Sequence, residues 1–283
     1  MNIECFPANG VGVDSDFPVD HKRDMTMKKQ RIQLTINDFP EELHPYLFGV
    51  DIYDSSCHSN AQTLYLSPNH YLKIDAVGEL AREAALTEYF HDRRIGVEVV
   101  SYISSDRDYL LTQAVAGEDL THWCQDPKAL CQILAETLRY LHSQPIDQAP
   151  VSHSYEHYLD AAAGDMGGGS YDESVAMDRF SISSKEEAWQ VMQENKHRLK
   201  ADTLIHGDYC LPNIIYDVNG KTTLIDLALG GIGDRHIDLY WAVWSLEYNL
   251  GTDRYTDYFL DCYGRENFDY DMLRVIAAFE MFG

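Results

Sequence analysis

The sequence predicts an α+β fold in two parts, a small strand-rich N-terminal part and a larger, mainly helical C-terminal part. Two apolar runs, 62–66 and 70–74, read as strands separated by a Ser-Pro-Asn turn, and they predict the first part. Apolar residues at helical spacing, most clearly over 129–142, predict the second part. The predicted boundaries are 27–112 for the N-terminal lobe, 113–118 for a hinge and 119–283 for the C-terminal lobe.

The first 26 residues are polar, rich in Gly and Asp, and lack helical or strand periodicity. We expect them to form a disordered extension. The alternative interpretation is an upstream translation start, with Met25 or Met27 as the initiator.

Each remaining element follows from its local pattern. In the N-terminal lobe, helical spacing over 79–93 predicts a helix, and 97–103 and 109–112 are strand-like. The later helices are predicted over 129–142, 185–199, 236–250, 253–263 and 270–282. The run Gly167-Gly168-Gly169 is expected to be a flexible connection, because no Gly-Lys-Ser/Thr follows it as in a Walker loop.

Composition limits the classes of function. The 283 residues carry a formal net charge of −24, which repels nucleic-acid phosphates and anionic membranes, so neither is an expected partner. No apolar run approaches the ~18 residues of a membrane span. The first residues are acidic and polar, so we expect no secretory signal, and six cysteines without C-x-x-C pairs are typical of reduced thiols. We expect a cytoplasmic protein that is a monomer or weak dimer. Its negative charge either keeps it soluble or lines a cleft that attracts a polycation.

The most informative motif is His-Gly-Asp-Tyr-Cys-Leu-Pro-Asn at 206–213, followed by Leu-Ile-Asp at 224–226. Strand-like runs flank the loop, and an Asn-Gly turn predicts a hairpin that brings Asp226 back beside Asn213. Phosphoryl transfer from ATP needs a carboxylate to orient the acceptor hydroxyl and oxygen ligands for Mg²⁺. Asp208 has the spacing of the catalytic carboxylate, and Asn213 and Asp226 have that of the metal ligands. Each alone could be a turn residue, but the set favours the chemistry.

The segments HGDYCLPNII, LIDLALGGIGDRHIDL, FLDCYG and AAFEMF resemble the aminoglycoside phosphotransferase family, most closely the subclass that phosphorylates the 3'-hydroxyl of kanamycin and neomycin. The resemblance runs from about Asp51 to the C-terminus. It implies a bilobal protein-kinase-like fold, ATP and Mg²⁺ as cofactors, and transfer of the γ-phosphate to a hydroxyl, here the 3'-hydroxyl, of a cationic aminoglycoside, which confers antibiotic resistance. A choline-, macrolide- or sugar-kinase-like acceptor, or a silent nucleotide-binding module, stays open.

For the nucleotide, the resemblance implies Lys73 as the strand lysine that contacts the α- and β-phosphates, although an exposed strand lysine is the plain alternative. Its partner is expected to be Glu83, with Glu79 as second choice on the same helix face. Ser59 is the candidate contact to the β-phosphate. The adenine is expected to bind the backbone of Gln113 and Val115.

Supporting residues are also implied. His206 is expected to be a structural hydrogen-bonding partner within the loop, and Cys210 a packing residue. In the Asp-Arg-x-x-Asp-Leu segment that contains Asp234, the second carboxylate, Asp238, is expected to brace the catalytic loop and to cap a helix.

On the acceptor side, the resemblance implies that acidic residues clamp the substrate amines. Glu280, Phe282 and the terminal carboxylate of Gly283 match the end of that substrate-binding pattern. Further acidic residues of the C-lobe insertion, Asp165, Asp172, Glu173 and Asp178, are candidates without individual assignments. Three positions depart from the family pattern and leave the acceptor open. They are Leu229 where a basic residue is common, Trp244 in place of an arginine, and Asn249 in place of an acidic residue.

Overall fold

The computed structural model describes residues 30–56, 61–150, 163–164, 171–173 and 180–282. The expected extension over 1–26, Ser59 and Gly283 lie outside the described residues. The same holds for the glycine run 167–169.

The N-terminal lobe is built on one sheet. Its strands are β1 (Gln30–Ile32), β2 (Asp51–Asp54), β3 (Gln62–Ser67), β4 (His70–Asp75), β5 (Val99–Ser104) and β6 (Asp108–Gln113). Within the described residues the spatial order is β1-β2-β3-β4-β6-β5, and all neighbours are antiparallel. Alternate residues of β3 and β4 are buried, Leu64 and Leu72 completely, so one face of the sheet covers a hydrophobic core.

Two helices belong to this lobe: α1 (His44–Leu47), whose Leu47 enters the same core, and α2 (Ala81–Asp92). Helix α2 begins two residues later than the sequence predicts, because Asp108 fixes the preceding turn. The Asp108 carboxylate accepts hydrogen bonds from the backbone N–H groups of Gly78 and Leu80, at 2.9 and 3.0 Å. Glu79 therefore lies in an exposed turn and does not share a helix face with Glu83.

The C-terminal lobe is mainly helical. Its described helices are α3 (Pro127–His142), α4 (Lys185–Asn195), α5 (Arg235–Leu250), α6 (Thr256–Tyr263) and α7 (Tyr270–Glu280). Its described strands are β7 (Glu118–Asp119), β8 (Thr203–Ile205), β9 (Ile214–Tyr216), β10 (Thr222–Leu224) and β11 (Gly231–Gly233). Strand β9 pairs with β7 and β10, and β8 pairs with β11, all antiparallel.

The core of this lobe surrounds the buried stripe of α3, where Leu130, Leu134, Leu138 and Leu141 are inaccessible to solvent. The spacing of these leucines places them on one face of the helix. Tyr209, from the loop between β8 and β9, is also fully buried, and its hydroxyl donates to the Leu134 carbonyl at 2.9 Å. The catalytic-loop motif is thereby fixed to the centre of the helical lobe.

Main-chain contacts connect the lobes at the hinge and at a parallel bridge. The chain passes from β6 to β7 through residues 114–117, and the Ala114 N–H donates to the Asn69 carbonyl at 2.6 Å. Leu224 donates to the Ile95 carbonyl at 2.7 Å, in a parallel bridge between β10 and the segment before β5. The bilobal α+β fold is confirmed, while the exact lobe boundaries stay predictions. Within the described ranges, no helix has the length and apolarity needed to cross a membrane.

Candidate active site

The loop between β8 and β9 carries the central motif. Asn213 donates from its side-chain nitrogen to the Asp208 carboxylate at 2.9 Å and to the Asp208 carbonyl at 3.0 Å. Because that nitrogen is anchored, the side-chain oxygen of Asn213 is left as an acceptor, and no donor to it occurs among the described residues. The β9–β10 hairpin then returns the chain so that the Ile225 N–H donates to the Asn213 carbonyl at 3.1 Å. Asp226 follows directly.

His206 holds the start of the loop. Its Nδ1 accepts from the Asp208 N–H at 3.2 Å, so the ring proton lies on Nε2, which donates to the Ile225 carbonyl at 2.9 Å. The imidazole is fully buried and both nitrogens are used. These contacts match the structural part expected for His206, and they leave no ring nitrogen to act as a base.

Asp238 braces the same loop from helix α5. Its two carboxylate oxygens accept from the N–H groups of His206 and Gly207, each at 2.8 Å, and His142 donates from Nε2 at 3.1 Å. Burial lowers the pKa of His142 against the opposing effect of Asp238, and its Nδ1 accepts from the Tyr263 hydroxyl at 2.8 Å. The helix cap, however, is Asp234, which accepts from the His236 N–H. The sequence assigned both tasks to Asp238.

Gly207 is required by the backbone. Its φ is +87°, and a Cβ at this position would lie 2.1 Å from the Leu229 carbonyl oxygen. Only glycine fits both the conformation and the space. The close approach packs the catalytic loop against residues 227–230, where the side chain of Leu229 is about half exposed.

Lys73 crosses from the N-lobe to meet this loop. Its Nζ donates to the two oxygens of Glu83 at 2.9 and 2.8 Å and to an Asp226 oxygen at 2.9 Å. Burial lowers the pKa of the Lys73 ammonium, but Asp226 and Glu83 together outweigh it and raise that pKa above its ordinary value. The structure thus brings together Lys73, Glu83 and Asp226 from β4, α2 and the segment after β10.

Asp226 has an unusual backbone, with φ +60°. Asp and Asn enter this left-handed region more readily than other non-glycine residues, and such outliers cluster at functional sites. Burial raises the pKa of its carboxyl group, while Lys73 lowers it more, so the net shift is downward. About half of the side-chain surface still contacts solvent, so the carboxylate remains open to a ligand.

The donor set fits Mg²⁺. Asn213 and Asp226 offer amide and carboxylate oxygens, the ligands that this hard cation prefers. In the part of the chain that is described, no three His, Cys, Asp or Glu side chains cluster as a closed metal site.

The hinge presents main-chain groups. The Gln113 N–H donates to the Glu98 carbonyl at 2.9 Å, so this amide is already used within the sheet. For the Val115 N–H, the described residues supply no hydrogen-bond acceptor. The side chain of Val115 is 36% exposed. Ser59, the candidate β-phosphate contact, falls between β2 and β3 in the chain and is not described.

At the other end of the site, Glu280 is buried beside the catalytic loop. Burial raises the pKa of its carboxyl group to about 8; the indole N–H of Trp241 opposes this shift and the charge of Asp208 adds to it. Trp241 is a neighbour that sequence reasoning missed, since nothing in its spacing on α5 separates it from a packing residue.

Phe282, two residues after Glu280, is buried. It is 2% exposed, and its ring packs against Tyr171 and Trp189, with ring centroids 5.3 and 6.5 Å away. The ring therefore belongs to the hydrophobic core of the C-terminal lobe, and its contact with substrate stays a prediction.

Residues 67–276 match the profile of the phosphotransferase enzyme family. A relative named probable aminoglycoside 3'-phosphotransferase, from Lactococcus lactis subsp. lactis, is 40% identical over 264 residues, which cover 92% of this chain and all of that protein. An aminoglycoside 3'-phosphotransferase of Niallia circulans is 32% identical, over 62% of this chain and 67% of the relative. The structure of aminoglycoside phosphotransferase APH(3'')-Id from Streptomyces rimosus aligns with a TM-score of 0.65 at 21% identity, over 79% of this chain and 90% of that one.

The fold and the Asp208–Asn213–Asp226 arrangement define a kinase-like phosphotransferase. The chain belongs to the phosphotransferase enzyme family.

Proposed function

We propose that this protein transfers the γ-phosphate of ATP to the 3'-hydroxyl of an aminoglycoside antibiotic and thereby confers resistance. The observation that carries the proposal is the meeting of Lys73 with Asp226, at 2.9 Å, beside an Asn213 that is hydrogen-bonded to Asp208. The 40% identical relative, which carries the name of this activity, supports the choice of acceptor.

Asp208 is the proposed catalytic residue. Asn213 holds one of its carboxylate oxygens at 2.9 Å, and the backbone N–H of Asp208 is bonded to His206, so the carboxylate has a fixed direction. In this proposal the carboxylate accepts a hydrogen bond from the acceptor hydroxyl and orients its oxygen in line with the γ-phosphorus. Because the transition state of phosphoryl transfer is loose, alignment contributes more than strong basicity.

Asn213 and Asp226 are the proposed magnesium ligands. The side-chain oxygen of Asn213 and the solvent-accessible part of the Asp226 carboxylate are available for this task. When bound, Mg²⁺ neutralises the negative charge on the phosphate oxygens. Lys73 is proposed to contact the α- and β-phosphates, and Glu83, bonded to it through both oxygens, keeps the ammonium in place. Ser59 stays the proposed β-phosphate contact.

The adenine is proposed to bind the hinge backbone. The Val115 N–H would donate to the ring, and the Gln113 carbonyl would accept from the amino group. This arrangement uses main-chain atoms only, which agrees with the exposed, apolar side chain at 115.

The acceptor is proposed to bind through carboxylates. The chain has a net charge of −24, and Glu280 lies close enough to Asp208 for their charges to interact. A protonated amine placed beside Glu280 would stabilise its ionised form and hold the adjacent sugar near Asp208. The terminal carboxylate of Gly283 is proposed to add a second anionic contact. A cationic acceptor therefore suits the site better than a neutral one.

The proposed location is the cytoplasm, where ATP is available. The described cysteines Cys124, Cys131, Cys210 and Cys262 are all free thiols, the form that a reducing compartment maintains.

Replacing Glu280 with glutamine should remove a pH dependence of stability. The folded protein holds this proton up to about pH 8, whereas an unfolded carboxyl group loses it near its ordinary value of 4.5. The native state thus binds more protons between these values, and its stability falls as pH rises through that window. We expect Glu280→Gln to match the wild type near pH 5 and to be more stable by about 2–4 kcal/mol near pH 8.5.

Urea unfolding at the two pH values measures this difference. Glu88→Gln, at an exposed position of α2, is the matched control and should follow the wild type. Identical pH profiles for wild type and Glu280→Gln would contradict the buried placement of this carboxyl group.

The function is tested by ADP release in a coupled assay with ATP and Mg²⁺ across kanamycin, neomycin, a macrolide and choline. The proposal predicts stimulation by the aminoglycosides alone. Stimulation by choline or the macrolide in their place would move the assignment to another small-molecule kinase. Binding of ADP without turnover of any acceptor would identify a silent nucleotide-binding module.

A further inference from the structure

Arg82, directly before Glu83 on helix α2, makes an inter-lobe contact that the proposed chemistry does not use. Its Nε donates to the Ala228 carbonyl at 3.0 Å, and its Nη2 donates to the Gly230 carbonyl at 2.7 Å. The planar guanidinium presents these donors in a fixed fork, so the two contacts define both the distance and the orientation of the segment that they hold.

The segment it holds begins at Asp226. After the left-handed Asp226, the chain turns, with the Gly230 N–H bonded to the Leu227 carbonyl at 3.0 Å, and then enters β11. A Cβ on Gly230 would lie 3.1 Å from the Ile205 carbonyl oxygen, so the turn is packed closely against the start of the catalytic loop. The position of the Asp226 carboxylate therefore depends on how residues 227–230 are held.

Helix α2 contacts both ends of this segment. Glu83 reaches Asp226 through the Lys73 ammonium, and Arg82 reaches Ala228 and Gly230 directly. The helix is itself held by Asp108, which accepts from the two N–H groups of the turn before it. Two consecutive side chains of one rigid helix thus fix the segment that carries the candidate metal ligand.

We propose that Arg82 is a positioning residue that holds the Asp226 segment in its metal-binding conformation, so that the N-lobe helix couples nucleotide binding to Mg²⁺ binding. This inference rests on the proposed function for the assignment of Asp226 as a metal ligand. It does not depend on the identity of the acceptor. In this inference Arg82 acts through the main chain of residues 228–230 and not as a ligand of substrate or metal.

The test is a comparison of ADP affinity, by isothermal titration calorimetry, with Mg²⁺ and with a chelator. Without metal, Arg82→Ala should bind ADP within about twofold of the wild type, because the phosphate and hinge contacts remain. With Mg²⁺, the wild type should bind ADP more tightly than without it. In Arg82→Ala, the factor by which Mg²⁺ increases ADP affinity should be about tenfold smaller, which is an ordinary size for the coupling between two ligands. Arg82→Lys can reach one carbonyl but not two. Its Mg²⁺-dependent increase in ADP affinity should lie between those of the wild type and Arg82→Ala.

Arg139→Ala is the matched control, because Arg139 also donates to a C-lobe carbonyl, that of Cys262 at 3.3 Å, but on the helical lobe away from the site. It should keep the full gain from Mg²⁺. If Arg82→Ala does not fold, the comparison of Arg82→Lys with the wild type decides. The inference would be overturned if a folded Arg82 variant gained as much ADP affinity from Mg²⁺ as the wild type does.

The two proposals fail separately. Loss of the Mg²⁺ gain in Arg82→Ala, together with no phosphorylation of any aminoglycoside by the wild type, would support the positioning function and overturn the acceptor assignment. Absence of any Mg²⁺ gain in the wild type would overturn the inference and the metal assignment together.

Discussion

Replacing Asp208 with alanine is expected to lower turnover by about 10²- to 10⁴-fold, the usual contribution of a positioned acid–base group. ADP affinity should not change, because the proposed nucleotide contacts, Lys73 and the hinge, lie elsewhere. The variant is expected to fold, since Asn213 keeps its second hydrogen bond, to the main-chain carbonyl of residue 208. Steady-state kinetics and calorimetric ADP binding measure the two effects.

The control for this variant is Asp261→Asn. Its carboxylate is 60% exposed on α6, where it pairs with Arg265, so it tests loss of a C-lobe charge away from the site. Its turnover should stay near that of the wild type, since exposed ion pairs contribute little. If the turnover of Asp208→Ala stayed within tenfold of the wild type, the assignment of Asp208 as the catalytic residue would be contradicted.

Replacing Asp226 with asparagine should also lower turnover, by on the order of 10³-fold, because the charge of the proposed metal ligand is lost from the transition state. The backbone should be unaffected, since asparagine adopts the left-handed conformation at φ +60° about as readily as aspartate. ADP binding in the presence of Mg²⁺ should weaken, whereas binding with a chelator should not. Kinetics and calorimetry with and without Mg²⁺ test this expectation.

Asp226→Ala separates the metal from the backbone. It should be as inactive as Asp226→Asn. Its free energy of unfolding should be about 1 kcal/mol lower than that of Asp226→Asn, because alanine is strained in the left-handed region. Urea unfolding of the two variants gives the difference. An Asp226→Asn protein that keeps wild-type turnover and Mg²⁺ dependence would show that Asp226 is not a metal ligand.

Much of the site could be predicted because its chemistry is local in sequence. Asp208 and Asn213 are five residues apart in one loop, and a tight hairpin returns Asp226 to them, so turn chemistry alone fixes their approach. The fold class follows from long, regular patterns such as the buried leucine stripe of α3. These signals do not depend on distant parts of the chain.

The sequence was least informative about contacts between distant residues. It favoured Glu83, which does pair with Lys73, but helix spacing alone kept Glu79 as a second choice, because the start of α2 depends on Asp108, about 30 residues later. It assigned the helix cap to Asp238, although this carboxylate is fully used by His206, Gly207 and His142. The contact of Arg82 with residue 230 spans 148 positions and leaves no local pattern.

Two of the positions that depart from the family pattern, Asn249 and Trp244, make contacts with neighbouring residues of α5. Asn249 donates to the Ser245 carbonyl at 2.7 Å, and the Ser245 hydroxyl accepts from the Leu211 N–H at 3.0 Å, so this position supports the catalytic loop. The ring of Trp244 stacks on that of Tyr248, 5.1 Å apart and nearly parallel. Leu229, beside Gly207, lies close to the catalytic loop without a polar group.

The most direct test of the central claim compares kanamycin B with tobramycin, its analogue that lacks only the 3'-hydroxyl. With ATP and Mg²⁺, mass spectrometry should show the gain of one phosphoryl group on kanamycin B, two-dimensional NMR should place it at the 3'-oxygen, and tobramycin should remain unchanged. Phosphorylation of both compounds to the same extent, or of neither, would contradict the account.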